Sequence, residues 1–321
     1  MPIERADVVL AQPSVIPEFL VLGLAPVRSH LIIAGPAKIG KSYLTLELIS
    51  CLMRGVSFLD IFRVPKPRSV TLIQGEMPPE YFKELRLRAL QSVCQNGTLK
   101  NLYLEQTTQL RLSNPTSVAR LKQELGTVGT ELFWMDPFYT CHEGSFNNAQ
   151  DVNQTLGTFN FLGEAVHSAT GFTAHFRKQQ TNRSGKRMPQ DFQDIAGSFL
   201  FEAWADSIIT VTPIDSMLGQ QVGQQPDEDD LYAKLRLSFW NRWLPPMGDI
   251  EGHISITPPF FRVTECSPRM RILRELCSGK SATYSAIAKR ASVGHQRTQA
   301  FLEHLVRMKL VAKAGNDYFY C

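Results

Sequence analysis

Apolar positions along the chain follow two alternating patterns. Compact apolar runs at Leu31–Ala34, within residues 69–76, and at Leu132–Met135 have the length of buried strands. Between them, apolar residues recur every three or four positions, as at Leu44, Leu48 and Leu52, which is the spacing of a helix face. The alternation continues. Residues 78–94 read as a helix opened by Pro78 and Pro79, 101–106 as a strand, 114–129 as a helix and 130–137 as a strand. Residues 150–170 read as a helix, and 171–176 and 205–213 as strands. Strands that alternate with helices in this way predict an α/β domain, with a mainly parallel sheet covered by helices on both faces.

Near Thr264 the pattern changes. Residues 268–277, 283–291 and 295–308 read as three helices, with a turn at Ser292–Gly294, and the end of the chain reads as a hairpin with Gly315-Asn316 at its tip. Three helices and a hairpin predict a small winged helix-turn-helix unit. The expected division is 1–265, with a short N-terminal segment 1–20, and 266–321. The third helix carries Arg297 near its start, where it could contact nucleic acid, although units of this kind also dock proteins.

Composition narrows the class. With 321 residues, 43% of them hydrophobic and 20% charged, the chain can bury one large core and a small one. No run approaches the ~18 apolar residues of a membrane span, and the first residues lack the order of a secretion signal, so a cytoplasmic location is expected. The six cysteines include no C-x-x-C pair, which fits neither a zinc site nor a disulfide framework. A net charge of +4 decides little by itself.

The strongest chemical signal is Gly35-Pro36-Ala37-Lys38-Ile39-Gly40-Lys41-Ser42, which matches G-x-x-x-x-G-K-S and lies between a strand and a helix. Such a loop, continued by Tyr43, wraps a polyphosphate with backbone N–H groups. Lys41 reaches the outer phosphates and Ser42 ligates Mg²⁺, so ATP and Mg²⁺ are the expected cofactors. Asp136, at the end of an apolar strand, is the expected second Mg²⁺-side group (Walker B). Its neighbour is Pro137, so a base must come from elsewhere. Glu76 ends the strand that follows the P-loop helix, and carboxyl ends of parallel strands are where catalytic groups gather. Glu76 is therefore the expected base for an attacking water.

The segment from Leu72 to Leu90 resembles the one in DnaB-type replicative helicases in which a strand ends in a catalytic Glu and runs into a helix. More broadly the chain resembles RecA-like ATPases, and among them the RepA-type plasmid helicases, over roughly residues 20–265. The resemblance is carried by the P-loop, Gln74-Gly75-Glu76-Met77, Phe133–Pro137, and the stretch from Gly171 through Val211. It implies a γ-phosphate sensor at His175, which could equally be a core histidine held by a carbonyl. It also implies a nucleic-acid loop at 177–190, with Arg177, Lys178, Arg183, Lys186 and Arg187 and no acidic residue; a merely solvated basic face is the alternative. Such ATPases form rings in which a neighbour's basic residue completes each site. Arg242 takes that place, with Arg236 as runner-up, although Trp240 stands where the family has a lysine.

The resemblance therefore implies a ring-forming, probable hexameric, single-stranded-DNA-stimulated ATPase and helicase of plasmid, phage or mobile-element replication, with any primase or initiator on a separate chain. The alternative is a non-translocating ATPase of the same fold that acts as loader, regulator or recombination accessory. A small-molecule kinase ranks third, for want of a lid-like arginine cluster.

Overall fold

The computed structural model describes residues 4–12, 18–94, 99–107, 110–146, 148–177, 191–195, 198–214, 234–279 and 281–320. The basic residues Lys178, Arg183, Lys186 and Arg187, and the acidic stretch 219–230, lie outside them. Helix α1 (Ala6–Ala11) precedes a short hairpin of β1 (Phe19–Val21) and β2 (Ala25–Pro26). Then follow β3 (His30–Gly35), α2 (Lys41–Arg54) and β4 (Val70–Gln74). The next helix is continuous but not uniform, running from α3 (Pro79–Phe82) through a π-helical turn (Lys83–Leu87) into α4 (Arg88–Val93). β5 (Leu102–Gln106), α5 (Pro115–Thr127), β6 (Leu132–Asp136), α6 (Ala149–Val166), β7 (Ala169–His175), α7 (Ser198–Trp204) and β8 (Ser207–Pro213) complete the alternating part.

The nine-stranded sheet has the order β11-β10-β9-β8-β3-β7-β6-β4-β5, in which β9 (Leu235–Asn241), β10 (Asp249–Ile254) and β11 (Phe261–Cys266) form one end. The six strands β3–β8 run parallel, as the alternation predicts, and β9–β11 run antiparallel. β10 and β11 escape a reading of the sequence because β10 alternates only weakly, with Gly252 at a buried position between Ile250 and Ile254.

Side chains that alternate along each strand feed two cores. Leu31 and Ile33 of β3 join a cluster with Leu44 and Leu48 of α2, whereas Ile32 and Ala34 join one with Phe133, Phe159 and Phe172 under α5 and α6. In the second cluster Phe172 packs on Phe138 with ring centroids 4.5 Å apart, and on Trp204 at 5.2 Å. Arg68 is 2% exposed, and its guanidinium joins the segments that lead into β1 and β6. It donates to Glu18 Oε1 (2.8 Å), Glu131 Oε1 (2.7 Å) and the Phe19 carbonyl (2.8 Å).

The C-terminal elements are α8 (Pro268–Cys277), β12 (Ala282–Thr283), α9 (Tyr284–Ala291), α10 (His295–Arg307), β13 (Val311–Ala314) and β14 (Asp317–Tyr320). The strands form a three-stranded antiparallel sheet in the order β12-β14-β13. Ser267 caps α8 at Met270 N and Thr283 caps α9 at Ala286 N, so both helix starts follow from local chemistry. This unit lies against the α2 side of the main sheet. Cys277 Sγ and the Tyr320 hydroxyl both donate to the Ile61 carbonyl, and Leu276, Phe301 and Tyr318 belong to the same buried cluster as Leu48 and Phe62. Among the described residues no helix is long and apolar enough to cross a membrane.

Candidate nucleotide site

Sheet register brings the predicted residues to one edge. Gly35 of β3 pairs with His175 of β7, and Gln74 of β4 pairs with Asp136 of β6, so the carboxyl ends of these strands lie level. The P-loop leaves β3 and enters α2 through Gly40, whose φ of 96° is a conformation glycine tolerates without strain. No side chain caps α2 and its first turn holds no acidic residue, leaving its start suited to an anion. Ile39 is buried, so of the loop residues it can offer only its backbone.

Lys41 is 6% exposed, and its ammonium is folded onto the loop. Nζ donates to the carbonyls of Gly35 (3.1 Å) and Pro36 (2.7 Å) and lies 3.1 Å from Nδ1 of His175. Burial lowers the Lys41 pKa to about 8, against the opposing pull of Asp136 and Glu76. Burial, and then the Lys41 charge, lowers the pKa of His175. A neutral imidazole that accepts at Nδ1 is consistent with both shifts. All three ammonium protons then have acceptors, and none of these is an anion.

Asp136 is buried, which raises its pKa, while hydrogen bonds from Thr173 and Ser42 work in the other direction. A hydroxyl and a carboxylate in contact make a hard oxygen pair of the kind Mg²⁺ accepts. Among the described residues no group of three or more His, Cys, Asp or Glu forms a cage, so a Mg²⁺ ion held by Ser42 and Asp136 would take its other ligands from phosphate and water.

Glu76 lies two residues beyond β4. Gly75 N donates to the Asp136 carbonyl (3.1 Å), and a Cβ at Gly75 would sit 2.4 Å from Thr140 Oγ1. Only glycine lets the turn Phe138–Thr140 close so tightly over the strand end. The closure brings the Tyr139 hydroxyl to Glu76 Oε1 at 2.9 Å, and the Tyr139 ring to 5.7 Å from that of His175. Burial and the Glu76 contact push the tyrosine pKa to about 12, so its hydroxyl remains a donor.

Two adjoining hollows result. One, of about 240 Å³, brings together Lys41, Ser42, Glu76, Asp136 and His175; the other, of about 290 Å³, is lined by Ser42, Glu76, Asp136, Met77 and Phe82. Arg86 lines both. Its guanidinium lies 3.9 Å from the centre of the Tyr43 ring and Nη1 donates to the Tyr43 hydroxyl (2.6 Å), while its buried Nε has no acceptor. An unsatisfied cationic donor beside a P-loop fits an anionic ligand.

Arg86, Tyr139 and Thr173 were not singled out from sequence. Arg86 had a legible signal, since it lies at i+4 from Phe82 and i−4 from Leu90, both buried. An arginine on the buried stripe of a helix calls for a reason.

The remaining candidates lie elsewhere. Arg242 follows β9 at the opposite edge of the sheet, where Nη2 donates to the Ala203 carbonyl (2.6 Å) and Nε lies 3.8 Å from Asp206. Because β9 is antiparallel to β8, Arg242 lies about 17 Å, the length of β3, from its own P-loop along the strand direction. Arg236 pairs with Thr212 at the P-loop end of the sheet, and its Nη2 lies 3.2 Å from Glu251. Arg177 lies two residues beyond β7, and its backbone N–H donates to the Asp194 carbonyl (2.7 Å). Arg297 is exposed on α10.

A parallel sheet with a P-loop after β3, and an acid ending a strand two places along the sheet, is the core of a RecA-like P-loop ATPase. The family model described as "AAA domain" matches residues 5–181, more than half of the sequence, and the chain belongs to that family. Among solved structures, the ATPase domain of G40P is similar at 13% identity with a TM-score of 0.51, covering 74% of this chain and 85% of that one. At that identity the likeness speaks for the fold. A search of curated proteins gives no match.

Proposed function

We propose that the chain is a Mg²⁺-dependent ATPase that works as a homo-oligomeric ring, expected to be a hexamer, on single-stranded DNA, as a cytoplasmic helicase or translocase of RepA type. The observation that carries this reading is the convergence of Lys41, Ser42, Glu76, Asp136 and His175 on one hollow at the carboxyl edge of the sheet. The phosphoryl group of ATP passes to water and ADP leaves; Ser42 and Asp136 would hold Mg²⁺, which would supply charge neutralisation at the phosphates. Lys41 turns its ammonium from the Gly35 and Pro36 carbonyls to the outer phosphates. Glu76, held by Tyr139 through one carboxylate oxygen, orients water with the other and takes its proton. His175 contacts Lys41 and opens the chain toward the basic stretch that begins at Arg177, so a change at the phosphate can reach that stretch through β7.

In this reading the chain divides at 265/266, and α8–α10 with β12–β14 form a winged helix. Arg242 completes the neighbour's site. Trp240, in place of the family's lysine, packs on Phe192 with ring centroids 6.4 Å apart; this half-complete pair favours a second reading, in which ATP controls assembly of a loader or regulator without translocation. The test is ATP turnover with and without single-stranded DNA, alongside strand displacement on a forked duplex. Stimulated turnover with displacement supports the motor. Turnover without either supports the assembly switch, and absence of turnover removes both.

A further inference from the structure

A hollow of about 630 Å³ lies remote from the P-loop. One wall is the β9–β10 connection, Pro245–Gly248, and the other is formed by α8 and α10. Its floor is apolar, with Pro246, Met247, Ile272 and Phe301. Its rim is basic, with Arg269, Arg297 and Arg307 joined by the half-buried His304, and among the described residues no Asp or Glu lines it. The volume is within the ~300–1,000 Å³ of ligand pockets, which favour such junctions between units.

We propose that this groove docks an acidic segment of a partner protein, whose one or two large apolar side chains fill the floor while its carboxylates meet Arg297 and Arg307. The charge of the rim selects the partner's sign, and the apolar floor selects a protein over a nucleic acid. Phosphates give an apolar floor nothing to bury. The one aromatic ring that could stack a base, Phe301, is 5% exposed, with the Arg269 guanidinium 5.8 Å from its centre. Arg269 is in turn fixed by donation to the Pro246 carbonyl, so the rim is joined to the main sheet. An occupant would touch both units at once. The inference does not depend on ATP hydrolysis.

The test is fluorescence anisotropy of the full chain with a panel of short fluorescein-labelled peptides rich in Asp and Glu, carrying pairs of Phe, Leu, Ile or Trp at varied spacing. Matched peptides with the apolar pair replaced by Ser, or the acids by Lys, serve as controls, and an unlabelled single-stranded oligonucleotide as competitor. The expected result is saturable binding of at least one acidic-apolar peptide, weakened about tenfold or more in both controls and in the surface variants Ala300→Glu and Arg307→Glu. ATP turnover should be unchanged in Ala300→Glu, which shows that the variant is folded. Absence of binding across the panel, equal binding by both variants, or displacement by the oligonucleotide with loss of its own binding in both variants would each overturn the proposal.

Discussion

The Tyr139 hydroxyl donates a 2.9 Å hydrogen bond to Oε1 of Glu76, which joins the turn after β6 to the strand end after β4. Tyr139→Phe keeps the ring and removes the donor. A hydrogen bond to a charged acceptor is worth about 1.5–3 kcal/mol, so if half of that is realised in the transition state, kcat falls roughly four- to thirteenfold. KM for ATP should stay within about twofold, because the contact positions the base and not the phosphates. Steady-state kinetics separates the two constants, and a rise in KM at constant kcat would contradict the assignment.

Arg86 should act on binding. Its buried Nε lacks an acceptor and its guanidinium is held against Tyr43, so an anion in the adjoining hollows gains a charge-assisted donor. Arg86→Ala is expected to weaken nucleotide affinity by about tenfold or more, read by titration with a fluorescent ATP analogue. Arg86→Lys should rescue little, since an ammonium cannot reproduce the planar stack. Wild-type affinity in both variants would remove Arg86 from the site.

Lys41 gives a pH signature. In the free protein its pKa is about 8, because burial disfavours the charge, and bound phosphates restore the charged form. Above pH 8 a growing share of the free protein has a neutral Lys41, so nucleotide binding must take up a proton, and affinity falls as pH rises through that range. Calorimetric titration at about pH 8.5, in buffers of different ionisation enthalpy, should report uptake of most of one proton. No uptake would mean that the folded-back lysine keeps an ordinary pKa.

Stability should depend on Arg68 far more than on any exposed ion pair. The side chain is 2% exposed, so its removal empties a buried position and leaves Oε1 of Glu131 without its donor, while the more exposed Glu18 keeps Lys66 at 3.1 Å. Arg68→Ala is expected to cost about 1.5–3 kcal/mol, whereas Arg88→Ala, which breaks the exposed pair with Glu84, should leave stability nearly unchanged. Chemical denaturation of the two variants compares them directly.

What the sequence made legible was contiguous. The P-loop is a local string, Asp136 ends an apolar strand and Glu76 lies two residues beyond one, and the C-terminal helices carry their own caps at Ser267 and Thr283. Residues that needed the chain to fold back stayed hidden. Tyr139 reaches Glu76 only because the Phe138–Thr140 turn closes over Gly75, a contact between positions 63 residues apart. The place of Arg86 on a buried stripe is legible, but its contact with Tyr43 of α2, 43 residues away in the chain, is not. The position of Arg242 at the far edge follows from the antiparallel direction of β9, which its composition does not encode.

The most direct test of the account is steady-state ATP hydrolysis by wild type and Glu76→Gln, each with and without single-stranded DNA. The account predicts turnover that single-stranded DNA stimulates and that falls by about 10² or more in the variant, with nucleotide still bound. Turnover that survives in Glu76→Gln would contradict the assignment of the base.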